Sequence, residues 1–147
     1  MMKKYSKNHS IFKTFTLVEI MIVVAIITVL ATLLSLNLLR AKLHSAEANA
    51  QATLRAISTA LESYASAKAG AFPVGNNLSL LYNEDPKYIN KDYVTDCTVG
   101  SPCQGYAYSC NLSLAGYTCS ATPQGNYHNA KTFTVETGGV LKEFANQ

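Results

Sequence analysis

The hydropathy pattern is dominated by an almost unbroken apolar run at residues 15–39, which reads FTLVEIMIVVAIITVLATLLSLNLL. Its single charged residue is Glu19. A helix needs about 20 apolar residues to cross the hydrocarbon core of a bilayer, so the run predicts a helix that is long enough to span a membrane. Because a carboxylate in such a segment is costly and generally has a specific partner, Glu19 is a candidate functional residue.

Residues 40–69 continue the helical pattern with a different surface. They contain neither Gly nor Pro, and they are rich in Ala, Leu, Glu, Lys and Arg, which are good helix formers. One face carries an apolar stripe with a seven-residue repeat, formed by Leu43, Ala50, Leu54, Ile57, Leu61 and Tyr64. The charged residues off this stripe are Glu47, Arg55, Glu62 and Lys68. We expect the stripe to pack against a C-terminal module.

Residues 70–104 show no sustained periodicity and predict a connection between the helix and a sheet. Gly70 and Pro73 mark the end of the helix, and a short helix is expected near 78–83. The acidic residues from Asp92 to Asp96 lack the spacing of a calcium-binding loop. We therefore expect them to be solvated surface acids.

Residues 105–147 alternate apolar and polar positions and predict four antiparallel strands, near 105–112, 117–122, 131–136 and 140–145. A four-residue turn at 113–116 sets the register of the first hairpin. It places Leu112 opposite Tyr117, Cys110 opposite Cys119, and Tyr108 opposite Ala121. The expected fold class is α+β, with a long N-terminal helix packed on a small four-stranded antiparallel sheet.

The four cysteines allow three disulfide pairings. Directly opposed residues of a hairpin lie close enough for a cross-strand bridge. The predicted register therefore favours Cys110–Cys119, which leaves Cys97 with Cys103. The other pairings remain open, and zinc is the competing interpretation, although the spacing lacks the paired C-x₂₋₄-C elements of common zinc modules.

The segment from Lys13 to Glu19, KTFTLVE, followed by the long apolar run, resembles the N-terminus of type IV prepilins and type II secretion pseudopilins. The resemblance implies a leader at residues 1–14, removed by a dedicated peptidase between Thr14 and Phe15. It further implies methylation of the new amine of Phe15, and a Glu19 that neutralises the Phe15 amine of a neighbouring subunit. Thr14 stands where that family usually has Gly.

The resemblance covers residues 13–69 most closely and implies a pilin-like fold over the whole chain.

Four of the 12 Lys and Arg residues lie in the leader, so we expect the N-terminus to stay inside and the C-terminal domain to lie outside. Without the leader, 8 basic residues face 9 acidic ones. This near-neutral balance gives no indication of a nucleic-acid partner. An ordinary secretory signal peptide is the alternative, but its apolar region spans only about 7–15 residues.

The expected function is a structural filament subunit of the inner membrane, whose C-terminal domain is periplasmic or extracellular. The expected partners are copies of itself or related subunits, the prepilin peptidase and methylase, an inner-membrane assembly platform and membrane lipid. The alternatives are a membrane-anchored binding domain that never polymerises, and a minor pilin with a role in adhesion or DNA uptake.

The three histidines, His9, His44 and His128, show no nucleophile–base spacing. We therefore predict no enzyme activity, catalytic residue, metal or cofactor.

Overall fold

A computed structural model describes residues 15–145 of the protein, without the side chains of residues 34–36. The chain divides into two units, with the boundary between Leu39 and Arg40. The elements in chain order are α1 (Leu17–Ala67), α2 (Ser79–Asn83), α3 (Tyr93–Asp96), β1 (Tyr106–Ser113), β2 (Gly116–Pro123), a 3₁₀ turn (Gly125–Tyr127), β3 (Thr132–Glu136) and β4 (Val140–Phe144).

Helix α1 has 51 residues. The composition predicts that the helix ends at Ala69, and in the structure it ends two residues earlier, at Ala67. Ala69 and Gly70 both take the left-handed backbone conformation, with φ of 57° and 89°. The amide of Gly70 donates to the carbonyl of Ala65 at 2.7 Å. This is the usual way in which a left-handed residue closes the last turn of a helix.

The four strands form one antiparallel sheet in the order β1-β2-β3-β4. Every neighbouring pair is antiparallel, so each strand follows its predecessor through a hairpin or a short connection. The predicted register of the first hairpin is confirmed. Its partners include Leu112 with Tyr117, Cys110 with Cys119 and Tyr108 with Ala121.

A single hydrophobic core lies between the second part of α1 and one face of the sheet. The helix contributes an apolar stripe, Ala46, Ala50, Leu54, Ile57, Leu61 and Ala65. The sheet contributes its alternating inward residues, Tyr106, Tyr108, Cys110, Leu112, Tyr117, Cys119, Ala121, Phe133 and Val135. The predicted α+β arrangement of a long N-terminal helix and a four-stranded antiparallel sheet is confirmed.

Two carboxylates beside this stripe bond the helix to the sheet. Glu62 Oε1 accepts from the Tyr117 hydroxyl at 3.0 Å and from the Gly138 amide at 2.8 Å, in the turn between β3 and β4. Glu47 Oε1 accepts from the Lys131 amide at 3.1 Å, just before β3 begins. The charged positions off the stripe therefore include two residues that attach the helix to β2 and to the segments on either side of β3.

The connection between α1 and β1 is organised by Asp92, which corrects the expectation that this residue is a solvated surface acid. Its side chain is buried, and its Oδ1 accepts from the amides of Leu78, Val94 and Thr95 at 3.2–3.4 Å. Its Oδ2 accepts from the Thr95 hydroxyl at 2.8 Å. Asp92 therefore caps α3 and ties it to the residue that precedes α2.

Both disulfides follow the connectivity that the sequence favours. Cys110–Cys119 joins β1 to β2, and Cys97–Cys103 closes the loop that follows α3. No cysteine within residues 15–145 is free. The zinc interpretation therefore fails, because all four thiols are consumed by disulfides.

Three tyrosines of the sheet have a raised pKa. Burial is the main cause for Tyr106, Tyr108 and Tyr117. The negative charge of Glu47 raises the pKa of Tyr106 further. Burial acts in this direction because it disfavours the charged phenolate. The folded state therefore holds these three hydroxyls in their neutral form.

We predict that Glu62→Ala lowers the free energy of unfolding by about 1–2 kcal/mol, because two hydrogen bonds to a carboxylate are lost, although the Tyr117 hydroxyl keeps Ser58 as a partner and the exposed Gly138 amide can bind water. Glu62→Gln keeps an acceptor oxygen and should lose less. Denaturant unfolding of the full chain in detergent micelles measures both. Glu143→Ala is the control, since its exposed ion pair with Lys131 contributes only about 0–1 kcal/mol. Equal losses for Glu62→Ala and Glu143→Ala would contradict the assignment.

We also predict that stability declines in alkali. A group whose pKa is raised by folding contributes its stability below its unfolded pKa, here about 10 for tyrosine, and loses it as the pH rises beyond that value. The free energy of unfolding should therefore fall from about pH 10 upward. Tyr106→Phe removes one of the three groups and should reduce the slope, at the cost of the hydrogen bond to the Lys131 carbonyl. An unchanged slope in this variant, measured by unfolding between neutral and alkaline pH, would contradict the prediction.

Candidate functional site

The apolar segment at the start of α1 presents its side chains on all sides. Phe15, Leu17 and Leu33 are 70%, 75% and 63% exposed, and every residue described between 15 and 39 is classed as exposed. Its most apolar 18-residue window has a mean hydropathy of 2.8, and none of that window is buried. Within the described residues, α1 is the one helix that is long and apolar enough to cross a membrane.

Three polar side chains inside the segment donate hydrogen bonds to carbonyls of the helix itself. The Thr28 hydroxyl lies 2.7 Å from the Val24 carbonyl, and the Thr32 hydroxyl donates to the Val29 carbonyl at 2.7 Å. The Asn37 amide donates to the Leu33 carbonyl at 3.3 Å. A helix can enter a bilayer only if its polar groups find partners without water. These three residues therefore do not prevent the segment from spanning a membrane.

Thr16 caps the N-terminus of α1, and the sequence reasoning missed it. Its hydroxyl oxygen accepts from the amide of Glu19 at 3.2 Å. Thr16 and Glu19 have the Thr-x-x-Glu spacing of a capping box. That spacing was the signal that could have identified the cap. It also explains why the helix begins at Leu17, since the capping residue itself has a non-helical backbone.

The Glu19 carboxylate forms no hydrogen bond and no ion pair with any residue of the range 15–145. It lies in the first turn of α1, on an exposed surface that is otherwise apolar. An ionised carboxylate in apolar surroundings needs a partner. No residue of the range 15–145 supplies such a partner to Glu19.

The other predicted site residues are placed as follows. Phe15 is the first residue that the structure describes, and it precedes α1. Thr14 and the leader at 1–14 lie outside the described residues, so the cleavage between Thr14 and Phe15 and the methylation of Phe15 stay predictions. The four cysteines are brought together as two pairs, within the unit that begins at Arg40.

The two histidines that the structure describes, His44 and His128, lie on different elements. His44 Nδ1 lies 3.4 Å from Glu47 Oε2, one turn away on α1. His128 follows the 3₁₀ turn and is exposed, whereas His9 falls outside the described range. Among residues 15–145, no group of three or more His, Cys, Asp or Glu could hold a metal ion.

Comparison with protein-family models, with curated proteins and with solved structures found no match for this chain. Its function therefore has to be inferred from its own residues. The features that bear on it are the exposed apolar segment, the motif at residues 13–19 and the Glu19 carboxylate, which is unpaired within the part of the chain that the structure describes.

Proposed function

We propose that this protein is a structural subunit of a pilus-like filament, either a type IV pilin or a type II secretion pseudopilin. Subunits assemble through residues 15–39 once the leader at 1–14 has been removed and Phe15 has been methylated. The observation that carries the proposal is the Glu19 carboxylate, which has no partner among residues 15–145 and lies on a helix surface that is otherwise apolar and exposed. The resemblance of residues 13–19 to prepilins supports it.

The proposed partner of Glu19 is the N-terminal ammonium group of Phe15 on a neighbouring subunit. Cleavage after Thr14 creates this ammonium group on Phe15, which is four residues from Glu19 in the sequence. Two opposite charges about 4 Å apart attract by roughly 4 kcal/mol at an effective dielectric constant near 20. The attraction offsets the cost of keeping the carboxylate away from water.

The same apolar surface suits both proposed environments of the segment. Lipid tails and packed apolar helices are both dry, so moving the helix from the bilayer into a filament changes little in its hydration. In this proposal the subunit first spans the inner membrane with its N-terminus inside. The domain from Arg40 onward then lies on the outer side, where disulfides such as Cys97–Cys103 persist. The prepilin peptidase and an assembly platform are the implied partners.

A second candidate function is a membrane-anchored extracytoplasmic domain that never polymerises. The specific observation in its favour is the capping interaction of Thr16 with Glu19. An acidic residue in the first turn of a helix is stabilising by itself, because it faces the positive end of the helix dipole. In this alternative, Glu19 stabilises the helix of its own chain and needs no partner from another subunit.

Glu19→Gln separates the two functions, because glutamine serves in a capping box but carries no charge. If Glu19 pairs with a neighbouring amine, we expect at least about a tenfold loss of filaments, corresponding to 1.4 kcal/mol or more per contact. Filaments sheared from cells are counted by electron microscopy, and the membrane fraction is probed for normal insertion of the subunit.

Thr16→Ala is the matched control, since it removes the cap and keeps the charge. The filament proposal expects this variant to assemble. Wild-type filament numbers from Glu19→Gln would exclude the charge pairing. Absence of filaments from the wild-type protein in its native cells would instead favour the anchored domain.

The processing step makes an independent prediction. Mass spectrometry of the protein from its native membrane should find a chain that begins at Phe15 and carries one methyl group on its terminal amine. Cells that lack the prepilin peptidase should yield the full-length chain as the control. A native protein found only with the N-terminus of residue 1 or 2 would contradict the proposal.

A further inference from the structure

An open cavity of about 620 Å³ lies between the second part of α1 and the loop closed by the Cys97–Cys103 disulfide. We call it the Lys91 cavity. On the helix side it is bordered by Ala52 and Ala56, whose small side chains leave the space open. Its volume falls in the range of about 300–1,000 Å³ that is typical of small-molecule sites.

The cavity contains a cation without a counter-ion. The Lys91 side chain is half-buried, and its ammonium group donates to Cys103 Sγ at 3.4 Å. A disulfide sulfur is a weak acceptor. No carboxylate among residues 15–145 forms an ion pair with Lys91. A half-buried cation with only this contact favours an anionic ligand.

Two aromatic rings form one wall of the cavity. The ring centroids of Tyr93 and Tyr108 lie 5.9 Å apart, with the planes inclined by 60°. Tyr108 is fixed in the core at 6% exposure, whereas Tyr93 is half-buried. The partly exposed ring of Tyr93 therefore offers an apolar face to a ring of similar size, and Tyr108 supports it from the core. The ligand is therefore expected to combine a negative charge with a ring.

The turn beside the cavity contains Gln104, whose side chain lines the cavity. Gln104 and Gly105 have φ of 52° and 87° and form a two-residue turn closed by two hydrogen bonds between Cys103 and Tyr106, at 2.9 and 3.0 Å. Turns with positive φ at both central residues strongly prefer Asn-Gly. Glutamine is unfavourable there, and such local strain is concentrated at functional sites.

We propose that the Lys91 cavity binds a small carboxylate that is attached to a ring. The carboxylate pairs with the Lys91 ammonium group, the ring packs on Tyr93, and the amides of Asn49 and Gln104 donate hydrogen bonds to the ligand. Free aromatic acids and sugar acids share this chemistry. The proposal does not depend on filament assembly, because every residue involved belongs to the unit that begins at Arg40.

Nuclear magnetic resonance of the isotope-labelled full chain in detergent micelles tests the proposal. Sodium benzoate and sodium D-glucuronate are titrated to millimolar concentration, with benzyl alcohol and methyl glucoside as uncharged controls. We expect at least one of the two acids to shift the amide signals of residues 91, 93 and 104 saturably, and the uncharged compounds to have no such effect. A response to benzoate alone identifies an aromatic acid, and a response to glucuronate alone identifies a sugar acid.

Two variants with a matched control test the assigned roles. Lys91→Gln should weaken binding about tenfold or more, because it removes the charge-assisted hydrogen bond. Lys87→Gln should leave binding unchanged, since Lys87 lies 4.1 Å from the Tyr82 ring centroid and does not line the cavity. Gln104→Asn should raise the melting temperature and weaken binding, because asparagine suits the turn but has a shorter side chain.

The following results would overturn the proposal. One is that neither acid binds, or that the uncharged compounds bind equally well. Another is that Lys91→Gln and Lys87→Gln bind like the wild type. A third is that dilution of the protein shifts the same amide signals, because a second copy of the chain would then occupy the cavity.

Discussion

The folded domain depends on the burial of one helical stripe against the inner face of the sheet. The helix covers the apolar side of β1 to β3 with Ala50, Leu54, Ile57 and Leu61, each at most 1% exposed. A sheet of four short strands buries only a modest core by itself. The hydrogen bonds that Glu47 and Glu62 accept fix where the helix lies on that sheet, and the two disulfides constrain the unfolded chain.

Helix α1 meets two different requirements along its length. From Arg40 onward it is amphipathic, with a covered stripe and a polar remainder. Before Leu39 it is apolar on all sides and exposed, which is the pattern of a helix that is surrounded by lipid or by other helices. This contrast is the physical basis for treating the first part as an anchoring or assembly segment and the second part as the scaffold of a domain.

Glu19 illustrates how one residue can have two separable roles. Its backbone amide belongs to the cap made by Thr16, a role that needs only a single chain. Its carboxylate has no partner within the described chain and is the basis of the filament proposal. The Lys91 cavity presents the same situation with the opposite sign of charge, since a half-buried ammonium group there has a disulfide sulfur as its neighbour.

The sequence alone determined the features that depend on local periodicity and turn length. These are the apolar run, the helical stripe, the strand alternation and the register that sets Cys110 opposite Cys119. The tertiary structure alone decided the contacts of Glu47 and Glu62, because their partners lie 84 and 76 residues away in sequence. It likewise decided the burial of Asp92 and the formation of α3, a helix of four residues that is too short to leave a periodic pattern. The hydrogen-bond partners and the burial of such side chains depend on which distant residues the fold brings close. The hydropathy pattern along the chain does not contain that information.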